Sequence, residues 1–107
     1  MDIASLEELI SSGRDSAMLR LALARLLARD DRMPEAIIHL EKVVTQDPSY
    51  TAAWKDLGRF RFSGGHVEAA IAAWRQGIVV AHARGDKQAE KEMRVFLRRA
   101  EKAQAGG

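Results

Sequence analysis

Four basic side chains occur in two pairs, and the spacing within each pair is about one helical turn. Arg25 lies four residues before Arg29, and Lys55 lies four residues before Arg59. Residues at i and i+4 share one face of a helix, and guanidinium and ammonium groups bind carboxylates through charge-assisted hydrogen bonds. If the two helices lie side by side, the four cations predict a binding surface for an acidic peptide or a free carboxylate.

Residue types that support catalysis, metal binding or phosphate binding lack the necessary spacing elsewhere in the chain. The three histidines are far apart and no cysteine joins them: His39, His66 and His82. Two acidic pairs occupy adjacent positions, which point in different directions on a helix: Glu7 with Glu8, and Asp30 with Asp31. Gly64 and Gly65 lack the lysine and the preceding strand of a phosphate loop. The sequence therefore predicts no catalytic residue, no metal site, no cofactor and no enzymatic activity.

The composition is typical of a globular protein with one domain. The chain has 107 residues, of which 47% are hydrophobic and 30% charged, and its net charge is +2. No apolar run approaches the roughly 20 residues that span a bilayer. The acidic N-terminus lacks a basic segment followed by an apolar one, so no secretory signal is predicted and a cytoplasmic location is expected. The absence of cysteine excludes disulfides, so packing alone must stabilise the fold.

Helical periodicity and capping residues predict six helices, and no long alternating pattern predicts a strand. The first helix should begin at a capping box, Ser5 with Glu8, and end at Gly13. The second should lie between a cap at Asp15 or Ser16 and its end near Asp30. The third should begin near Met33 and end at Asp47 and Pro48. The fourth helix should begin after Ser49 and end at Ser63 to Gly65. Gly85 should end the fifth helix, and Asp86 should cap the last one. The fold class is all-α.

A repeat of 34 residues relates the second and third helices to the fourth and fifth. The shift pairs identical or similar residues: Leu23 with Leu57, Ala24 with Gly58, Ala36 with Ala70, Ile37 with Ile71, Leu40 with Trp74, and Val44 with Ile78. In the second unit, Trp54, Leu57 and Gly58 have the spacing W-x2-L-G, and Ala70 and Trp74 follow. With this period and pattern the chain resembles the tetratricopeptide-repeat family, as a small two-repeat protein of the bacterial type.

The resemblance implies antiparallel helix hairpins that form a right-handed superhelix. It divides the chain into an N-terminal helix over 1–14, repeats over 17–50 and 51–84, and a capping helix over 85–103. A frayed tail is expected over 103–107. Ala89, Met93, Phe96, Leu97 and Ala100 form one stripe of the last helix. We expect this stripe to cover apolar surface left open by Trp74 and Ile78, as the terminal elements of repeat arrays do.

Small residues predict where the helices of each repeat approach most closely. We expect Ala24 to contact Ala36, and Gly58 to contact Ala70. The chain departs from the family pattern at two positions. Arg20 stands where the second repeat has Trp54, and Arg61 stands where the family usually has an aromatic residue. Phe60 or Phe62, on either side of Arg61, could fill the space of that aromatic residue. The fifth helix has His82 instead of a closing proline, so we expect it to be longer than the third.

The resemblance also implies a concave groove, lined by the first helix of each repeat, that binds a segment of a partner protein. The positions that correspond to the groove are Leu21, Arg25, Ala28, Arg29, Lys55, Arg59 and Phe62. Asp56 is the only acid expected beside the cations, so an acidic partner is predicted. Some family members bind the C-terminal carboxylate of heat-shock chaperones through a lysine and two asparagines. Leu21, Arg25 and Asp56 stand at those positions here and are wrong for that interaction.

Two other functions fit the sequence. The first is a structural role through self-association, with the chain a monomer or a weak homo-oligomer. The second is nucleic-acid binding through a basic strip on the last helix: Arg94, Arg98, Arg99 and Lys102. Aromatic side chains for base stacking are missing beside this strip, and interspersed charges are usually solvated. We therefore expect nucleic acid to be the weaker of the candidate partners.

Overall fold

A computed structural model describes residues 1–106, which form six helices and no strand. The helices are α1 (Ile3–Ser11), α2 (Ala17–Arg29), α3 (Met33–Gln46), α4 (Thr51–Ser63), α5 (Val67–Arg84) and α6 (Lys87–Gly106). The all-α prediction is therefore confirmed. α5 has 18 residues against 14 in α3, so the expectation of a longer fifth helix is also confirmed.

Side chains cap several helices, and one of the predicted caps is wrong. Ser16 accepts from the amide of Leu19, and Asp86 accepts from that of Ala89. Gly85 ends α5 in the left-handed conformation, with a φ of 72°, that favours glycine. The capping box at Ser5 does not form, because α1 begins earlier. Its cap is Asp2, whose carboxylate accepts from the amide of Ser5 at 2.8 Å.

The helices pack in chain order around two adjoining apolar clusters. α2 packs on α3, α4 on α5, and α3 on α4, while α1 covers α2 and α6 covers α5 and part of α4. The first cluster is formed mainly by α1 to α4 and the second by α5 and α6. Trp54 contacts both clusters, and its indole Nε1 donates to the carbonyl of Pro48 at 2.8 Å.

The tightest approach between α4 and α5 differs from the predicted one. A β-carbon at Gly58 would lie 2.2 Å from Nε1 of Trp74, so the indole of Trp74 takes the contact that was expected of Ala70. The same Nε1 donates to the carbonyl of Lys55 at 3.2 Å, which holds the ring against the α4 backbone. Gly58 is therefore required by Trp74, whereas the first repeat combines Ala24 with the smaller Leu40.

The last helix covers the end of the array as expected but is longer than predicted. Met93 is fully buried against α5, and the ring of Phe96 lies 5.5 Å from that of Trp74. A β-carbon at Gly77 of α5 would lie 2.5 Å from Sδ of Met93, so this glycine lets α6 approach. The predicted frayed tail is wrong for 103–106, because the alanines there continue the helix; Gly107 lies outside the described residues.

Arg20 fills the position of the missing tryptophan with a hydrogen-bonded cluster. Its guanidinium binds Asp15 through two hydrogen bonds of 2.7 Å and lies 3.0 Å from Nδ1 of His39, and Gln46 also donates to Asp15. Arginine has no acceptor, so Nδ1 of His39 must be unprotonated. Burial, and then the charge of Arg20, hold the pKa of His39 below its ordinary value of 6.5.

This arrangement predicts a loss of stability in mild acid. The unfolded chain takes up a proton at His39 near pH 6.5 and the folded chain only at lower pH, so the free energy of unfolding should fall as the pH drops below 6.5. The other charges that act on His39 are Glu7, Glu35 and Lys42. The hydrogen bond to Arg32 lowers the pKa of Glu35 from 4.5, so protonation of this carboxylate changes the free energy of unfolding only below that pH.

Urea denaturation between pH 7 and pH 5 would measure this dependence. The His39→Gln variant, which does not titrate, is the control and should have a flatter profile than the native chain. Equal slopes for the two proteins would contradict the role of His39.

Arg61 itself fills the place of the missing aromatic residue in α4. Its guanidinium donates to the carbonyl of Ala69 in α5 and binds the carboxylate of Glu41 in α3, both at 3.1 Å. Phe60 packs instead against the first apolar cluster, and Phe62 lies beside Trp74. Arg61 therefore joins the two repeats through polar contacts.

Candidate functional site

A cleft of about 410 Å³ lies between α2 and α4 and brings together the four cations that form two pairs in the sequence. Its lining residues are Arg25, Ala28, Arg29, Lys55, Asp56, Arg59 and Phe60. Two helical turns of α2 and two of α4 contribute them, because side chains four residues apart lie on one face of a helix. The pairs Arg25 with Arg29 and Lys55 with Arg59 therefore form one surface.

Asp56 lies at the centre of this surface and is only 2% exposed. Its Oδ2 accepts from Nε of Arg25 at 2.7 Å, across the two helices. Its Oδ1 lies 3.5 Å from Nη1 of Arg59 on the same helix. Both arginine side chains are about half exposed, so each contacts Asp56 and is also open to solvent.

The remaining two cations differ in their environment. Arg29 is exposed and forms no ion pair with any residue in 1–106. Lys55 is one-quarter exposed and its Nζ lies 3.3 Å from Oε1 of Glu92 in α6. The expectation that Asp56 would be the only nearby acid is therefore wrong, because α6 brings a second carboxylate to the edge of the cleft.

Two of the three apolar residues expected in the groove lie elsewhere, whereas Ala28 lines the cleft. Leu21 is 5% exposed and belongs to the first apolar cluster, since it faces the core side of α2. Phe62 is 39% exposed and lies 6.0 Å from the ring of Trp74, outside the lining of the cleft. Phe60 lines the cleft in their place.

Other charged groups lie away from the cleft. Arg94 is paired with Glu90 at 2.9 Å, whereas Arg98 and Arg99 are exposed on α6. Within 1–106 no three histidine, aspartate or glutamate side chains come together in a way that would hold a metal ion. None of the described helices has the length and apolar character needed to cross a membrane.

Comparison with known proteins agrees with this architecture. A sequence profile of the tetratricopeptide repeat matches residues 17–60. A tetratricopeptide-repeat-containing protein of Pseudomonas aeruginosa is 44% identical over 103 residues, which are 96% of this chain and 98% of the relative. The chain belongs to the tetratricopeptide-repeat family. Members of this family are generally protein–protein interaction modules and are typically non-enzymatic scaffolds.

Solved structures of other proteins have the same fold. A protein of Bordetella parapertussis superposes with a TM-score of 0.82 at 36% identity, and the match covers 96% of this chain and 90% of that one. A tetratricopeptide-repeat domain protein of Salinibacter ruber superposes with a TM-score of 0.78 at 28% identity, over 81% of this chain and 88% of that one. The helical repeat architecture is therefore shared along nearly the whole chain.

Proposed function

We propose that this tetratricopeptide-repeat protein acts by binding, not by catalysis, and that it binds an acidic segment of a partner protein in the cleft between α2 and α4. The observation that carries the proposal is the convergence of four cations on this cleft, with two carboxylates among them. The cleft also offers an apolar contact, in Phe60 and Ala28. A negatively charged peptide would complement the remaining positive charge.

The charges of the cleft are accessible enough to interact with a ligand and also with salt. Arg25, Arg29 and Arg59 are all exposed to a large extent. Interactions of exposed charges are screened over about 10 Å at 0.1 M ionic strength. Binding of an acidic peptide should therefore weaken steadily as the salt concentration rises.

Charge reversal in the cleft tests the proposal. The double variant Arg29→Glu and Arg59→Glu is preferable to any reversal of Arg25, because Arg25 makes the closer contact with the buried Asp56, at 2.7 Å against 3.5 Å for Arg59. A thermal melt establishes that the variant is folded. Fluorescence anisotropy with a labelled oligoglutamate peptide would measure the affinity. We expect the variant to bind about tenfold more weakly or worse, which corresponds to about 1.4 kcal/mol.

The matched control is the double variant Arg98→Glu and Arg99→Glu, which makes the same change in net charge on the exposed side of α6. Its affinity for oligoglutamate should stay close to that of the native chain. Equal losses from the two variants would indicate a diffuse charge effect, and a loss confined to the α6 variant would move the binding site out of the cleft. Either result contradicts the proposal.

A further inference from the structure

The carboxylate of Asp56 has an unusual place in a surface that should attract acids. It is buried, carries the same sign of charge as the proposed ligand and lies between two arginines. A buried carboxylate is costly unless charged or hydrogen-bonding partners compensate it. Arg25 and Arg59 provide that compensation, so the three side chains form one unit.

The two arginines stand at the same position of consecutive repeats, because residue 59 follows residue 25 by one repeat length of 34. No other carboxylate among the described residues pairs with either of them. Asp56 engages Arg25 through Nε alone, so the two Nη groups of this guanidinium stay available. Arg59 approaches Asp56 through Nη1 at 3.5 Å, which leaves its other donors available as well.

Long arginine side chains on a helix surface otherwise sample many rotamers, and ordering them on binding costs affinity. Asp56 limits this freedom for Arg25 by a 2.7 Å hydrogen bond between α2 and α4. Arg25 is fixed by this bond and Arg59 lies 3.5 Å from the other oxygen of Asp56, so the free N–H groups of both guanidiniums can meet the same oxygen atoms of a ligand. A carboxylate fits such a planar fork through two parallel hydrogen bonds.

We propose that Asp56 is a positioning residue, which holds Arg25 and Arg59 so that both donate to a single carboxylate group of the bound peptide. This inference rests on the proposed function, since it concerns the same cleft. It makes a prediction of opposite sign to simple electrostatics. Removal of the negative charge of Asp56 should strengthen the binding of an acid if charge alone matters, but it should weaken binding if Asp56 positions the arginines.

The Asp56→Asn variant separates these effects because asparagine has nearly the same shape and removes the charge. We expect its affinity for labelled oligoglutamate to fall about tenfold, although its net charge is more positive. Unchanged or tighter binding would overturn the inference. The proposed function fails separately, if the native chain does not bind oligoglutamate in a salt-dependent manner or if the reversals on α6 weaken binding at least as much as those in the cleft.

A second variant keeps the test valid if Asp56→Asn does not fold. Arg25→Lys retains the charge but loses the planar fork and the Nε donor. It should bind oligoglutamate about tenfold more weakly, whereas an unchanged affinity would show that the charge at this position suffices and would overturn the inference. Thermal melts of both variants by circular dichroism establish that each is folded in the titration.

In a double-mutant cycle, Asp56→Asn is combined with Arg59→Gln, which leaves Arg25 to compensate the buried carboxylate. If Asp56 acts through both arginines, its replacement should cost less affinity once Arg59 is absent. An equal loss of affinity in the absence of Arg59 would contradict a positioning role for both arginines.

Discussion

Replacing Gly58 with alanine should destabilise the protein by about 1–3 kcal/mol. In the interior of a helix this substitution normally stabilises, because alanine is favoured over glycine by about 1 kcal/mol. Here the new methyl group would lie 2.2 Å from Nε1 of Trp74, whose ring is held on α4 by the hydrogen bond to Lys55. The clash should outweigh the helix propensity, and urea denaturation measures the difference.

The double variant Gly58→Ala and Trp74→Leu is the control, because it reproduces the combination of Ala24 with Leu40 in the first repeat. The substitution to alanine should cost much less in this background than in the native one, since leucine leaves room for the methyl group. If Gly58→Ala stabilises the native chain, the close approach of α4 and α5 described here is wrong.

Deletion of residues 86–107 should abolish cooperative unfolding or cause aggregation. The stripe of α6 contains Met93, which is fully buried, together with Phe96 and Leu97, which pack on the second cluster. Each such side chain contributes about 1.5–3 kcal/mol when fully buried, so the loss approaches the whole stability of about 5–15 kcal/mol of a typical domain. Trp74 and Ile78 would then be exposed to solvent.

Deletion of residues 103–107 alone is the matched control for this truncation. The described residues of this segment are exposed, so their loss should leave the thermal transition nearly unchanged. Circular dichroism and light scattering on both truncations would record melting and association. A cooperative, monomeric protein of native stability after the longer deletion would show that α6 does not complete the core.

The sequence was sufficient to predict the helices, the repeat period and the capping role of the last helix. These features depend on local signals, such as the cap residue Ser16, the glycine at residue 85 and the apolar stripe around Met93. Gly58 was recognised as a packing position for the same reason, because a glycine inside a helix requires an explanation. Gly77 carries the same signal and was missed by sequence reasoning.

The contacts between elements distant in sequence could not be predicted. The choice of Trp74 over Ala70 as the neighbour of Gly58 depends on how the indole lies on α4. The pairing of Lys55 with Glu92 depends on the angle at which α6 crosses α4, and the helical pattern does not contain this angle. The contacts of Asp56 with both Arg25 and Arg59 likewise depend on how α2 packs against α4, which the sequence does not specify.

The location of the bound peptide tests the central claim most directly. Nuclear magnetic resonance spectra of the isotope-labelled protein, recorded during a titration with unlabelled oligoglutamate, would report every backbone amide and the arginine Nε groups. We predict that the largest shift changes fall on α2 and α4 around Arg25, Arg29 and Arg59, and that they vanish at high salt. Changes concentrated on α6 around Arg98 and Arg99, with the cleft unperturbed, would contradict the account.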